Sequence, residues 1–139
     1  REPVSRWISE YVYNTYKEHP WSKNELPLER YLESYAGAES GRKFVRYFSS
    51  WTGVGEVTSE DAKDAVENLN AFAAVGAVEK MAEFAERLRS LVGRPLRIQK
   101  ANAAPRSGVA QKIAQDQGLM KVIEELCRWD LEIYHRLNP

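Results

Sequence analysis

Two side chains at the start of the chain have the types and the spacing to hold a phosphate. Arg1 precedes a helix-like stretch, Pro3-Val4-Ser5-Arg6-Trp7-Ile8, and Ser9 lies two turns into it. A guanidinium presents a planar fork of donors matched to phosphate oxygens. The start of a helix adds unpaired N–H groups and the positive end of the dipole, both favourable to an anion. A serine hydroxyl can donate one more hydrogen bond. Together these groups suit a phosphate monoester. The same residues also fit a plainer reading, in which Arg1 is a solvated side chain and Ser9 a neutral helix position.

The other residues with chemical potential point less sharply. His19 lies at a helix end, where the dipole favours a cation, and His135 follows Tyr134 on a terminal helix as a surface residue. Trp7 and Trp129 are expected in the core; Trp51, beside Thr52-Gly53, is the tryptophan that could face a ligand. Asp130 and Tyr134, four residues apart, are expected to fix the last helix rather than to catalyse. The single Cys127 excludes an internal disulfide and a cysteine-rich zinc module, and no His/Asp/Glu cluster has metal-ligand spacing. No catalytic residue is assigned.

These groups need elements to position them. Val4, Trp7, Ile8, Tyr11 and Val12 form one helical stripe, predicting a helix from Pro3 to about His19-Pro20. Pro27 starts a second helix, with Leu28, Tyr31, Leu32 and Tyr35 on one face, stopped near Gly37. A third runs from Ser40 to about Ser50 with Phe44, Val45 and Phe48. Thr58 and Asp61 form a capping box ahead of Ala62, Ala65, Val66 and Leu69. The run Ala71-Phe72-Ala73-Ala74-Val75, bounded by Asn70 and Gly76, is expected to be a short buried strand. Val78, Met81, Ala85, Leu88 and Val92 mark a long helix closed by Gly93. A polar connection from Arg94 to Gly108 follows, then a helical region from about Leu119 to Leu137 with Ile123, Leu126, Leu131 and Tyr134 as core candidates.

Composition bounds the classes of function. The 139 residues are 43% hydrophobic and 29% charged, with 20 basic and 20 acidic side chains. That length suits one domain burying roughly two-thirds of its unfolded surface. Zero net charge gives no reason to expect a nucleic-acid or membrane-surface binder. No apolar run approaches the ~20 residues of a membrane span. The chain opens at Arg1 without methionine, and is expected to be the later part of a longer protein.

The stretch Arg1-Glu2-Pro3-Val4-Ser5-Arg6-Trp7-Ile8-Ser9-Glu10-Tyr11 resembles the 3′-phosphate-binding segment of sulfotransferases that use 3′-phosphoadenosine-5′-phosphosulfate (PAPS). Its form is most similar to the carbohydrate-type branch that includes heparan sulfate 2-O-sulfotransferase. Two further stretches resemble the same family. They are Ala65 to Gly76, continuing into Val78-Glu79-Lys80-Met81, and the ending Trp129-Asp130-Leu131-Glu132-Ile133-Tyr134, like the family's closing Asp-x-x-x-Tyr helix. The resemblance implies that Arg1 and Ser9 hold the donor 3′-phosphate. It also implies that Arg106 and Ser107, with Lys100 less so, belong to a basic loop closing over that phosphate, although an ordinary surface loop fits them equally. Glu2 stands where the family has Asp or Asn, and Gly41 to Gly53 with Arg46 only loosely follows the acceptor-cleft segment.

The implied fold is α/β, of the P-loop-type sulfotransferase kind, with this segment mostly helical and carrying one or two short strands. The implied function is sulfuryl transfer from PAPS, a co-substrate, to a hydroxyl on a carbohydrate or small metabolite, without metal. The family's phosphosulfate loop and catalytic base have no counterpart in these residues and are expected from an upstream half of the same enzyme. A cytoplasmic setting is expected, with the Golgi lumen as the alternative. The rival is a non-catalytic helical protein–protein interaction domain in which Arg1 and Ser9 have no ligand.

Overall fold

The computed structural model describes residues 1–94 and 107–137. Helix α1 spans Pro3–Tyr16, and its stripe Val4, Trp7, Ile8, Tyr11 and Val12 is buried as the spacing predicts. It ends before the expected His19-Pro20 stop, because Lys17 takes extended backbone while its N–H closes on the Tyr13 carbonyl.

The single helix expected from Pro27 is two: α2 (Leu28–Leu32) and α3 (Tyr35–Ser40). Ser34 separates them, its hydroxyl accepting from the Gly37 N–H at 3.1 Å as an N-cap. Gly37 is therefore inside α3 rather than a stop, and it is buried. A Cβ there would collide with the Tyr31 carbonyl. Tyr35, placed by sequence on the core face, is 75% exposed.

Helix α4 (Lys43–Phe48) is shorter than expected, and α5 (Ser59–Asn70) begins at the complete Thr58/Asp61 capping box. A 3₁₀ turn at Val78–Lys80 leads into α6 (Met81–Val92), which closes on Gly93 at φ 69°, the left-handed conformation glycine adopts without strain. The C-terminal part holds three helices, α7 (Ser107–Gln115), α8 (Gln117–Leu126, capped by Asp116) and α9 (Arg128–Leu137).

The strand expected at Ala71–Val75 does not form. These residues are turn and irregular backbone, with Phe72 57% exposed. A buried strand needs a neighbour for its N–H and C=O groups, and no strand lies among the described residues. The expected α/β arrangement is overturned for the same reason: among the described residues every regular element is a helix.

Helices and the segment between α4 and α5 enclose two cores. In the first, α1 packs with Tyr31, Ile113, Ile123 and Cys127. The second gathers Val45, Trp51, Val57, Ala62, Ala65, Leu69 and Ile133. Helix α9 joins them, giving Ile133 to the second while Leu131 packs on the first. By contrast α6 has no buried residue, and Leu91 and Val92 are each more than half exposed.

Candidate functional site

The start of α1 is where the sequence candidates meet. Arg1 Nη1 donates to Ser9 Oγ at 3.0 Å, so the guanidinium lies along the helix above the serine. Eight residues are about 12 Å of helix rise, which only a long side chain laid along the axis can bridge. The pair is solvent-exposed, and a ligand can reach it without any displacement of the core.

The helix start itself is not open to an anion. Glu2 is the N-cap, its Oε1 accepting from Val4 N–H at 3.0 Å and its Oε2 from Ser5 N–H at 2.7 Å. The chain's own carboxylate thus fills the site that α1's first N–H groups would have offered. The capacity for phosphate rests on Arg1 and Ser9.

A second carboxylate braces the same end. Glu79, in the 3₁₀ turn, accepts from the Glu2 backbone N–H through Oε1 (3.1 Å) and from the Tyr134 hydroxyl through Oε2 (3.3 Å). Burial pushes its carboxyl upward. The N–H groups of Glu79 and Glu2, with the Tyr134 hydroxyl, outweigh that, and the carboxyl lies below its ordinary range. Tyr134 is raised, by burial first and by the Glu79 charge next.

Deeper in the fold, Arg6 Nη2 donates to Asp130 Oδ2 at 2.8 Å and to the Ser40 carbonyl at 2.9 Å. Asp130 is fully buried and also accepts from Phe44 N–H (2.9 Å) and Val45 N–H (3.1 Å). It caps α4, whose own N-cap, Arg42, supplies no side-chain hydrogen bond. Burial pushes the Asp130 carboxyl up to about 6 against the pull of these donors. Arg6 Nε and Nη1 are buried without a partner among the described residues, and the guanidinium lies 5.1 Å from the Phe44 ring centre. Asp130 therefore ties α9 to α1 and α4. It is in no position to meet solvent or substrate.

Of the remaining candidates, His135 alone among the described residues lies exposed near this end. Trp51 is a core residue with 8% exposure, and the guanidinium groups of Arg42 and Arg46 each lie 6.0 Å from its ring centre. It does not face a ligand. Trp7 is fully buried and donates from Nε1 to the Gly37 carbonyl at 2.8 Å, while Trp129 packs partly buried against the second core. Ser107 opens α7; Arg106 and Lys100 lie outside the described residues. His19 is exposed and accepts through Nδ1 from Trp21 N–H at 3.2 Å. His135 is exposed and borders a shallow groove beside Ser5, Ile8 and Glu124.

Glu79 is the residue that sequence reasoning passed over at this site. Its partners are 77 and 55 residues away, beyond any spacing within one element. Among the described residues no three His, Cys, Asp or Glu side chains are grouped to hold a metal, and no helix is long and apolar enough to cross a membrane. No protein-family model, curated protein or solved structure matches the chain.

Proposed function

We propose that this chain anchors the 3′-phosphate of PAPS for sulfuryl transfer to an acceptor hydroxyl on a carbohydrate or small metabolite. Arg1 and Ser9 are the anchoring pair. What supports the reading is one convergence. Arg1 and Ser9 are in contact at 3.0 Å, and the two other stretches that resemble the family come to the same end of α1 through Glu79 and Tyr134.

A phosphate monoester arriving there would accept from the Arg1 guanidinium and from the Ser9 hydroxyl, replacing the contact between them. In the transfer, the acceptor oxygen bonds to sulfur as the bond from sulfur to the phosphate oxygen breaks. Adenosine 3′,5′-bisphosphate leaves, and the hydroxyl proton passes to a base. This chain's share is to hold the leaving group in line. The base and the turn cradling the phosphosulfate would come from outside these residues.

The test is calorimetric titration of adenosine 3′,5′-bisphosphate against adenosine 5′-monophosphate. A charge-assisted hydrogen bond is worth about 1.5–3 kcal/mol, so Arg1→Ala should weaken the bisphosphate about tenfold or more. The monophosphate should change little. Equal affinity of both nucleotides, or an unchanged affinity in Arg1→Ala, would remove the site.

One observation favours a second reading, a non-catalytic helical interaction domain. Among the described residues two cores are closed with no sheet, as an independent module would be. That reading expects no nucleotide preference in the same titration.

A further inference from the structure

We infer that Glu79 is a positioning residue for the Arg1–Ser9 pair, an inference that rests on the phosphate-anchoring reading. The group is an exposed carboxylate in a three-residue turn, where solvent alone would satisfy it. Instead it spans two distant elements. One oxygen takes the N–H of the Arg1–Glu2 peptide and the other the hydroxyl of Tyr134 on α9.

The peptide it holds is the one that matters for Arg1. The Glu2 N–H precedes α1 and has no partner within the helix. Just after it the Glu2 side chain fixes the first turn through Val4 and Ser5. With Glu79 on one side and the cap on the other, the backbone between Arg1 and α1 is held, and the Arg1 side chain leaves it along the helix toward Ser9. Without Glu79, the Glu2 N–H loses the acceptor that ties it to the 3₁₀ turn, and Arg1 keeps the exposed hydrogen bond to Ser9 and the Glu2 cap beside it.

The charge of Glu79 argues against a direct role. A carboxylate beside a phosphate site repels the ligand, so any benefit to binding must come through Arg1. This separates hydrogen bonding from charge in a testable way. Glu79→Gln keeps a carbonyl acceptor and removes the charge. Glu79→Ala removes both.

The experiment titrates the full chain and these two variants with adenosine 3′,5′-bisphosphate and with adenosine 5′-monophosphate. It also records the nuclear Overhauser effect between the Arg1 δ-protons and the Ser9 β-protons without ligand. The expected result is about tenfold weaker bisphosphate binding in Glu79→Ala, the scale of ordering one residue. Glu79→Gln should bind the bisphosphate at least as tightly as the wild type, since it keeps an acceptor and removes the repelling charge, and all three melting temperatures should agree. Unchanged binding in Glu79→Ala, tighter binding in both variants, or equal loss in both would each overturn the inference. If the wild type binds both nucleotides alike, the phosphate reading fails and the Overhauser effect decides the positioning role alone. Its presence in wild type and Glu79→Gln and its loss in Glu79→Ala would support that role. Its presence in all three, or its absence from the wild type, would overturn it.

Discussion

Replacing Asp130 by alanine should cost this fold a large part of its stability. The carboxylate is fully buried and accepts from Arg6 at 2.8 Å, Phe44 N–H at 2.9 Å and Val45 N–H at 3.1 Å. Truncation leaves Arg6 with only the Ser40 carbonyl for its five donors, in a place where Nε and Nη1 already lack partners among the described residues. Breaking a buried ion pair in this one-sided way costs about 3–5 kcal/mol. Loss of the α4 cap alone accounts for about 0.5–2 kcal/mol of comparable changes. We therefore expect a loss of about 4 kcal/mol, against the ~5–15 kcal/mol of a typical domain. Urea denaturation followed by circular dichroism reads it as a shift in midpoint at unchanged slope. The double variant Arg6→Met/Asp130→Leu should recover much of the loss, because no unpaired charge remains buried. A loss below about 1 kcal/mol in Asp130→Ala would refute the view that this carboxylate organises the three helices.

The same carboxyl makes stability depend on pH. Burial raises it to about 6 in the fold, above its unfolded value, so the folded chain binds a proton there that the unfolded chain does not. Its contribution is full below the unfolded value and is lost as the pH rises through about 6. Wild type should therefore gain about 1 kcal/mol over Asp130→Asn between pH 7 and 5, and a gain in the other direction would contradict this. Gly37→Ala should cost about 1–3 kcal/mol, because the new Cβ meets the Tyr31 carbonyl beside the Trp7–Gly37 hydrogen bond. Melting followed by tryptophan fluorescence measures it, and an unchanged midpoint would mean that the turn is not tight. Burial pushes the Cys127 thiol up to about 12, so iodoacetamide at pH 8 should leave it unlabelled in the native protein and label it in urea. Labelling of the native protein, read by mass, would show that the first core opens.

Local signals were legible in the sequence where one element decides them. The α1 stripe, the Thr58/Asp61 box and the Gly93 closure each rest on spacing within a single helix, and each stands in the fold. The Ala71–Val75 run was misread because an apolar run of five residues has no period of its own. Only a pairing neighbour makes it a strand. Helix α7 was missed although Val109, Ala110 and Ile113 carry helical spacing, with Ile113 buried; its first two residues fell in the expected polar connection and the rest was assigned no element. The Arg1–Ser9 proximity was legible because Ser9 lies on α1 and Arg1 just before its start. Glu79 and Asp130 act over 55 or more residues, and their partners follow from the packing of α9. Ser34 as the cap that splits α2 from α3 was readable, but it competed with a continuous apolar face that includes Tyr35.

The measurement that bears most directly on the phosphate site is nuclear magnetic resonance of the nitrogen-15-labelled chain with added adenosine 3′,5′-bisphosphate. The account predicts saturable shifts at the Arg1 guanidinium and the Glu2 and Ser9 amides, with the 5′-monophosphate causing none at matched concentration. Identical shifts from both nucleotides, or shifts confined to residues away from the start of α1, would contradict it.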